Sequence, residues 1–356
     1  MILLKIKIME QSKTLKALSG SNFTSIADIV YSEFISLEDY QKKDHSNSLV
    51  LYKDKEFLLY KINDFELFEN AVIFCNHLTL SSLFRELNKC DQFRNIKLIT
   101  HQTDIPITKK YFLKKPKCVS EWYSTNVDYL NKKLIPIPLG LGNSFQTNQI
   151  NSNNNFSYPD FSKNTSEAKV YLNFKISTNK KERENLYEHF SSMNWAELDQ
   201  PDLDKQSYIN KLKNTSFVLA PWGNGYDTHR LWESLYFGKI PVTKYHETYS
   251  LLKNLPICFI DNYKELNQEL LNSFLNKVLT DKYNVEILDL KFWEKKIKSS
   301  SVSGLETFNV RESMLNLLFF KIKFHIFRIS KSKFKIAKFY ILKVIKFTKI
   351  LFQKVK

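Results

Sequence analysis

The 356-residue sequence predicts an α/β protein, with two domains built on parallel sheets and a basic amphipathic helical tail. Three observations predict it. Strand-like and helix-like stretches alternate with brief links from residue 69 to about 300. A stretch rich in Asn and Ser, with little apolar content, interrupts that alternation after Gln146. The positive charge is gathered at the C-terminal end. These features divide the chain into an N-terminal α/β domain over 1–150, a linker over 151–166, a C-terminal α/β domain over 167–300 and a tail over 301–356.

In the first 70 residues only Leu49–Tyr52 and Phe57–Ile62 read as strands, around the polar turn Lys53–Glu56. The pattern then clears. It predicts a buried strand over Ala71–Phe74, then a helix over Ser81–Cys90 with Leu83, Phe84 and Leu87 on one side. Strands follow over Ile96–Thr100, Lys117–Ser120 and Lys133–Pro138. In the second half, strands are predicted over Lys169–Phe174, Ser216–Ala220, Lys239–Thr243 and Ile257–Ile260. Helices are predicted over Lys180–Met193, Thr228–Phe237, Tyr263–Leu279 and Leu290–Lys298, with Thr178 and Asn179 as caps for the first of them. No repeat of solenoid period occurs.

Apolar residues make up 43% and charged residues 25%, which excludes a disordered chain. The four cysteines form no C-x-x-C pair, and Cys75 sits in the apolar run Ala71–Cys75, so a reducing compartment is the simplest reading. Lys5 and Lys7 interrupt the apolar start, so no secretory signal is expected. No uncharged apolar run is long enough to predict a membrane span.

Residues 313–356 hold eleven Lys, one Arg and no acidic residue, so the tail carries +12 of the formal +16. The remainder is nearly balanced and needs no polyanionic partner such as nucleic acid. The tail is also rich in Phe, Leu and Ile. Lys331, Lys335, Lys338, Lys346 and Lys349 recur at helical steps, which suits an anionic membrane surface. A packed helix with a solvated Lys face is the second reading, and a nucleic-acid arm is a distant third because interleaved Arg and polar residues would be more usual there.

The segment Phe217–Val242 reads strand, glycine loop, helix, glycine stop, strand. Gly223 and Gly225 are two of only seven glycines, and they let backbone approach a ligand. Asp227 or Thr228 is expected to cap the next helix, whose free N–H groups favour an anion such as a diphosphate. Arg230 in its first turn suits a phosphate, and Glu233, one turn on, suits the two hydroxyls of a ribose. Gly238 closes the helix ahead of Pro241. An ordinary i,i+3 ion pair between Arg230 and Glu233 is the bland alternative.

Taken as a unit, this segment resembles the C-terminal signature of exostosin-type glycosyltransferases: an apolar strand, a proline, a glycine loop, Arg shortly before Glu, then Gly-x-Ile-Pro. Upstream, Leu98–Asp104, Leu134–Gly140 and Asn173–Asn179 with Glu182 and Arg183 are similar to bacterial members of that group. The resemblance covers roughly residues 70–262 and departs from the family at His229 and Lys239. It implies two Rossmann-like domains of GT-B type, with the nucleotide-sugar donor on the second and the acceptor, a glycan or lipid-linked glycan, on the first. It also implies inversion at the anomeric carbon and no metal or other cofactor; with the basic tail and the reducing-compartment reading, the leading expectation is an enzyme on the cytoplasmic face of a membrane. Gly223, Asn224, Gly225, Asp227, Thr228, His229, Arg230 and Glu233 would then bind donor, together with Asn173, Thr178 and Arg183.

An inverting transfer needs a base from the first domain. Asp104 and His101 follow the strand over Ile96–Thr100 and are the candidates for it, Asp104 leading because it stays ionised at neutral pH, with a capping or core role the equal alternative for His101. Asn76 and His77 are weaker alternatives. Asp202 and Asp204 form a D-x-D pattern in a polar connector, which we do not read as a metal site. A fucosyltransferase-like enzyme using a guanosine diphosphate sugar, and a catalytically silent membrane-bound scaffold, share the same sequence grammar.

Overall fold

The structure is a computed structural model that describes residues 14–44, 46–164, 167–298, 306–322, 324 and 326. It is a mixed α/β architecture with mostly parallel sheets. The N-terminal half contains β1 (Ile29–Ser36), β2 (Ser48–Lys53), β3 (Phe57–Ile62), β4 (Asp64–Phe68), β5 (Val72–Asn76), β6 (Ile96–His101), β7 (Val119–Ser124) and β8 (Leu134–Pro136). Seven of these form one sheet in the order β8-β7-β6-β5-β1-β3-β2. From β8 to β1 every pairing is parallel, and the hairpin β2–β3 closes one edge antiparallel.

The C-terminal half contains β9 (Val170–Leu172), β10 (Ala196–Leu198), β11 (Phe217–Leu219), β12 (Ile240–Lys244) and β13 (Cys258–Ile260), all parallel in the order β10-β9-β11-β12-β13. The chain winds one way from β9 to β10 and the other way from β11 onward. The gap beyond the carboxyl ends of β9 and β11 is thus a topological switch point, where such sheets open a crevice. The longer helices that accompany the two sheets include α1 (Leu80–Leu87), α2 (Lys205–Lys213), α3 (His229–Tyr236), α4 (Gln268–Thr280) and α5 (Leu290–Lys298).

One core cluster joins both halves, bringing Phe23, Phe74, Ile99 and Tyr123 together with Leu172, Phe217, Trp232 and Trp293. The chain also returns on itself. On α5, Trp293 packs edge-on against Phe23 at 6.3 Å, and the carbonyl of Ile297 accepts from Lys97. The following strand β14 (Thr307–Arg311) lies in the stretch read as tail, yet it pairs antiparallel with β4. Glu312 is then buried between Lys61 and Arg85 and accepts from Ser82 Oγ at 2.9 Å. An ion pair this dry holds only because every partner is matched.

Several elements differ from the sequence expectation. The longest strand of the first sheet, β1, was not expected. Its apolar run is broken by Ser32 and Glu33, which are buried because they are bonded: Ser32 to Thr79 at 2.5 Å, and Glu33 to the Tyr60 hydroxyl at 3.0 Å. The helix expected over Lys180–Met193 is two pieces, Lys180–Arg183 and Leu186–Ser191, and Asn179 alone caps it. Within the stretch read as linker, Phe156 and Phe161 are buried, and Phe156–Ser157 pairs with Thr14–Leu15. Among the described residues no helix is long and apolar enough to cross a membrane.

Candidate functional site

The switch point opens into a cavity of about 550 Å³ between the two halves. It is lined by Asp104, Asn173, Thr178, Arg183, Gly223, Asn224, Gly225, Asp227, Thr228, His229, Arg230 and Glu233, so the structure gathers twelve sequence-selected residues around one space. His101 lines a neighbouring cavity of about 320 Å³, and the two cavities share Asp104, Leu139 and His229.

Arg230 stands on the first turn of α3. Its Nη1 donates to Glu233 Oε2 at 3.1 Å, its Nη2 donates to Asn173 Oδ1 at 3.2 Å, and its guanidinium carbon lies 4.2 Å from the centre of the Tyr208 ring. Its Nε is buried and has no partner among the described residues. No side chain caps α3: Thr228 occupies the N-cap position, but its hydroxyl is also buried without a partner. An uncapped helix start, a spare guanidinium N–H and a spare hydroxyl thus belong to residues that line one cavity. That set of donors suits a bound anion. Glu233 Oε2 also accepts from the Tyr208 hydroxyl at 2.7 Å, which leaves Oε1 with no partner among the described residues. The i,i+3 pair exists, and each member keeps a polar atom in reserve. Tyr208, on the buried face of α2, was missed in the sequence because nothing in its pattern separates it from a core tyrosine.

Other residues are spent on the fold. Arg183 lines the cavity, but four of its donors go to Trp222, Lys175, Thr178 and Pro221 at 2.6–3.0 Å. Burial, then the charge of Arg230, lowers it to about 10. It braces the glycine loop and does not reach out to a phosphate as expected. Thr178 accepts from Arg183 and donates to Lys175, and Asn173 is held between Arg230 and the Gln200 carbonyl. Asp227 does not cap α3. It is buried and accepts from Leu139 N and Trp232 Nε1, both at 2.8 Å, which ties the two halves together. Desolvation holds its carboxyl up at about 7.

One of the two loop glycines, Gly225, has a different cause from the expected one. Neither has positive φ, whereas Gly238 does (φ 68°) and closes α3, with Gly238 N bonded to Leu235 O and Lys239 N to Ser234 O. A Cβ on Gly225 would meet the Asn126 side chain at 2.7 Å, so that position is glycine because protein, not ligand, crowds it.

The expected base His101 is removed by its bonding. It is 1% exposed, its Nδ1 accepts from Gln102 N, and its Nε2 donates to the Pro138 carbonyl. Burial pushes it down to about 3, so it is a neutral structural ring with no free nitrogen. Asp104 is exposed over both cavities and accepts from Asn224 Nδ2 of the glycine loop at 3.3 Å. His229, selected as a donor contact, lies at the junction of both cavities. Its Nδ1 is 2.8 Å from the Gly140 carbonyl, and a carbonyl only accepts, so Nδ1 carries the proton and Nε2 is left as a base. Asp204 of the D-x-D pattern caps α2, accepting from Gln206 N and Ser207 N. Asn76 caps the turn at His77, and neither residue lines the two cavities.

No protein-family model matches the chain, and no curated protein matches it.

Proposed function

We propose that the chain is a glycosyltransferase that moves a sugar from a nucleotide-sugar donor to a glycan or lipid-linked glycan acceptor. The reading takes the two halves as Rossmann-like domains of GT-B type. The observation that carries it is the cavity at the switch point, where Arg230 Nε, the Thr228 hydroxyl and the uncapped start of α3 all lack partners. A diphosphate supplies what those donors lack.

In the transfer, the acceptor hydroxyl oxygen attacks the anomeric carbon as the bond from that carbon to the diphosphate oxygen breaks. The electron pair leaves with the diphosphate, whose growing charge is met by Arg230 and the helix start. The hydroxyl proton passes to Asp104, with His229 Nε2 as the second base within the same junction. The chemistry is inverting and needs no metal. Complete, reversible loss of transfer on adding a chelator would overturn that last point.

The protein works on the cytoplasmic face of a membrane. A helix over residues 314–322 follows Glu312. Phe320 lies 5.4 Å from Lys61 Nζ, and Phe324 beyond it is buried against Leu51 and Leu59. Leu315, Leu318, Phe319, Ile322 and Ile326 recur at helical spacing on the other side and are 48–69% exposed. An apolar stripe left exposed among the described residues, in a strongly cationic tail, fits an anionic bilayer. The lysines from 331 to 349 lie outside the described residues.

A thermal-shift screen with nucleoside diphosphates and their sugars tests the donor site, since a ligand of the folded state raises the melting temperature. No shift with any of them would refute the reading. Preference for guanosine diphosphate would select the fucosyltransferase-like variant. Binding without transfer or donor hydrolysis would select the silent scaffold.

A further inference from the structure

We propose that the 320 Å³ cavity beside the donor cavity is a subsite for one pyranose ring of the acceptor, an inference that rests on the transferase reading. Three aromatic rings from distant parts of the chain wall it: Phe34 on β1, Phe57 at the start of β3, and Phe145 on the loop that follows Gly142. Phe57 and Phe145 stack at 5.2 Å with 25° between their planes, and Phe34 meets Phe57 edge-on at 5.8 Å. All three are only half-buried. Apolar surface left open around a hollow is unfavourable relative to covering it, so a ligand that covers the rings gains from doing so.

The wall is set before any ligand arrives. The Gln102 side chain clamps the Phe34 backbone on both sides, accepting from its N–H at 2.6 Å and donating to its carbonyl at 2.9 Å. Gln102 adopts φ 60° to do so. Such preorganisation removes an ordering cost from binding.

The rim is polar and partly unused. Asn143 Oδ1 accepts from Ser21 N at 2.9 Å, while its Nδ2 has no partner among the described residues, and neither has the Glu56 carboxylate. An aromatic wall edged by one free donor and one free acceptor matches a pyranose, whose ring face is C–H and whose edge is hydroxyl. A lipid chain would use the rings but not Glu56 or Asn143. The cavity meets the donor cavity at Asp104, Leu139 and His229, so a ring held here presents a hydroxyl to the two bases.

The test is saturation-transfer NMR on the full chain with a panel of methyl pyranosides, alongside nucleoside diphosphates as probes of the donor cavity. At least one glycoside should receive saturation on its ring C–H protons. Phe145→Leu keeps apolar bulk but loses the π face, and should weaken that glycoside at least about threefold. Phe145→Tyr should retain it, and nucleoside diphosphate binding should be unchanged in both variants. A protein that binds a nucleoside diphosphate but no pyranoside would overturn the proposal. So would pyranoside binding that is indifferent to both Phe145→Leu and Phe57→Leu. Pyranoside binding that behaves as expected, with no nucleoside diphosphate bound, would refute the transferase reading and leave the sugar site standing.

Discussion

Arg230→Ala separates a diphosphate site from a structural ion pair. In the structure Arg230 spends Nη1 on Glu233 and Nη2 on Asn173, stacks on Tyr208, and keeps Nε buried and unused. If a diphosphate oxygen takes Nε, the substitution removes one charge-assisted hydrogen bond. Such a bond is worth about 1.5–3 kcal/mol, or roughly ten- to over a hundredfold in Kd. The loss should fall on the nucleoside diphosphate and spare the nucleoside, whereas Glu233→Ala should weaken both. The structural cost must be read separately. With side-chain exposures of 20% and 9% the pair is drier than a surface pair, so Arg230→Ala should cost more stability than the roughly 0.3–0.5 kcal/mol of an exposed helical pair. Arg230→Lys keeps the charge but cannot serve Glu233, Asn173 and a phosphate at once, so it should fall between. Calorimetric titration of each variant with nucleoside and diphosphate, beside melting curves, reads the ratio directly. Equal loss for both ligands in Arg230→Ala, or no loss for either, refutes the reasoning.

Asp104→Asn should lower transfer by about 10²–10⁴ with donor affinity nearly intact; a near-normal rate would exclude Asp104 and leave His229→Gln as the next variant to measure. Leu318→Glu with Phe319→Glu, at positions 56% and 69% exposed, should reduce sedimentation with anionic vesicles at least about tenfold while leaving the melting temperature unchanged, since each buried apolar side chain contributes about 1.5–3 kcal/mol; equal sedimentation would refute membrane docking by this face. Asp227 has a folded value of about 7, above its unfolded one, so its contribution is complete below about pH 4 and lost as pH rises through 7. Across that window the stability gap between the native protein and Asp227→Asn should move on the order of 4 kcal/mol toward the variant, and parallel urea-melt profiles at pH 4 and pH 8 would contradict this.

The cavity at the switch point was legible in the sequence because its residues cluster in one segment and two strand ends. Strand, glycine loop and helix follow one another from Phe217 to Tyr236, so short-range pattern carries the geometry. What failed was anything set by a long-range partner. His101 sits beyond a strand end as a catalytic histidine would, and only the Pro138 carbonyl and Gln102 N–H reveal it as structural. Arg183 and Asp227 have functional residue types in functional places, yet the fold itself consumes their hydrogen bonds. The strand β1 escaped notice because its polar residues are tolerated only through partners tens of residues away, at Thr79 and Tyr60. The aromatic cavity draws on residues 34, 57 and 145, and no local window contains it.

Sorting the cleft by what the fold leaves over gives an order that residue identity alone does not. At the α3 end the unspent groups are donors: Arg230 Nε and the Thr228 hydroxyl. At the junction of the cavities they are bases, Asp104 and His229 Nε2. At the β1–β3 end they are aromatic faces with Glu56 and Asn143 beside them. Buried polar groups without partners, as at the α3 end, cost a folded protein about 1–3 kcal/mol each. A chain that leaves Arg230 Nε and the Thr228 hydroxyl unpaired beside a cavity gains stability when a ligand completes them. Anion, reacting centre and hydroxylated ring is the order in which those vacancies would be filled. It is also the order of leaving group, transferred carbon and acceptor in a sugar transfer.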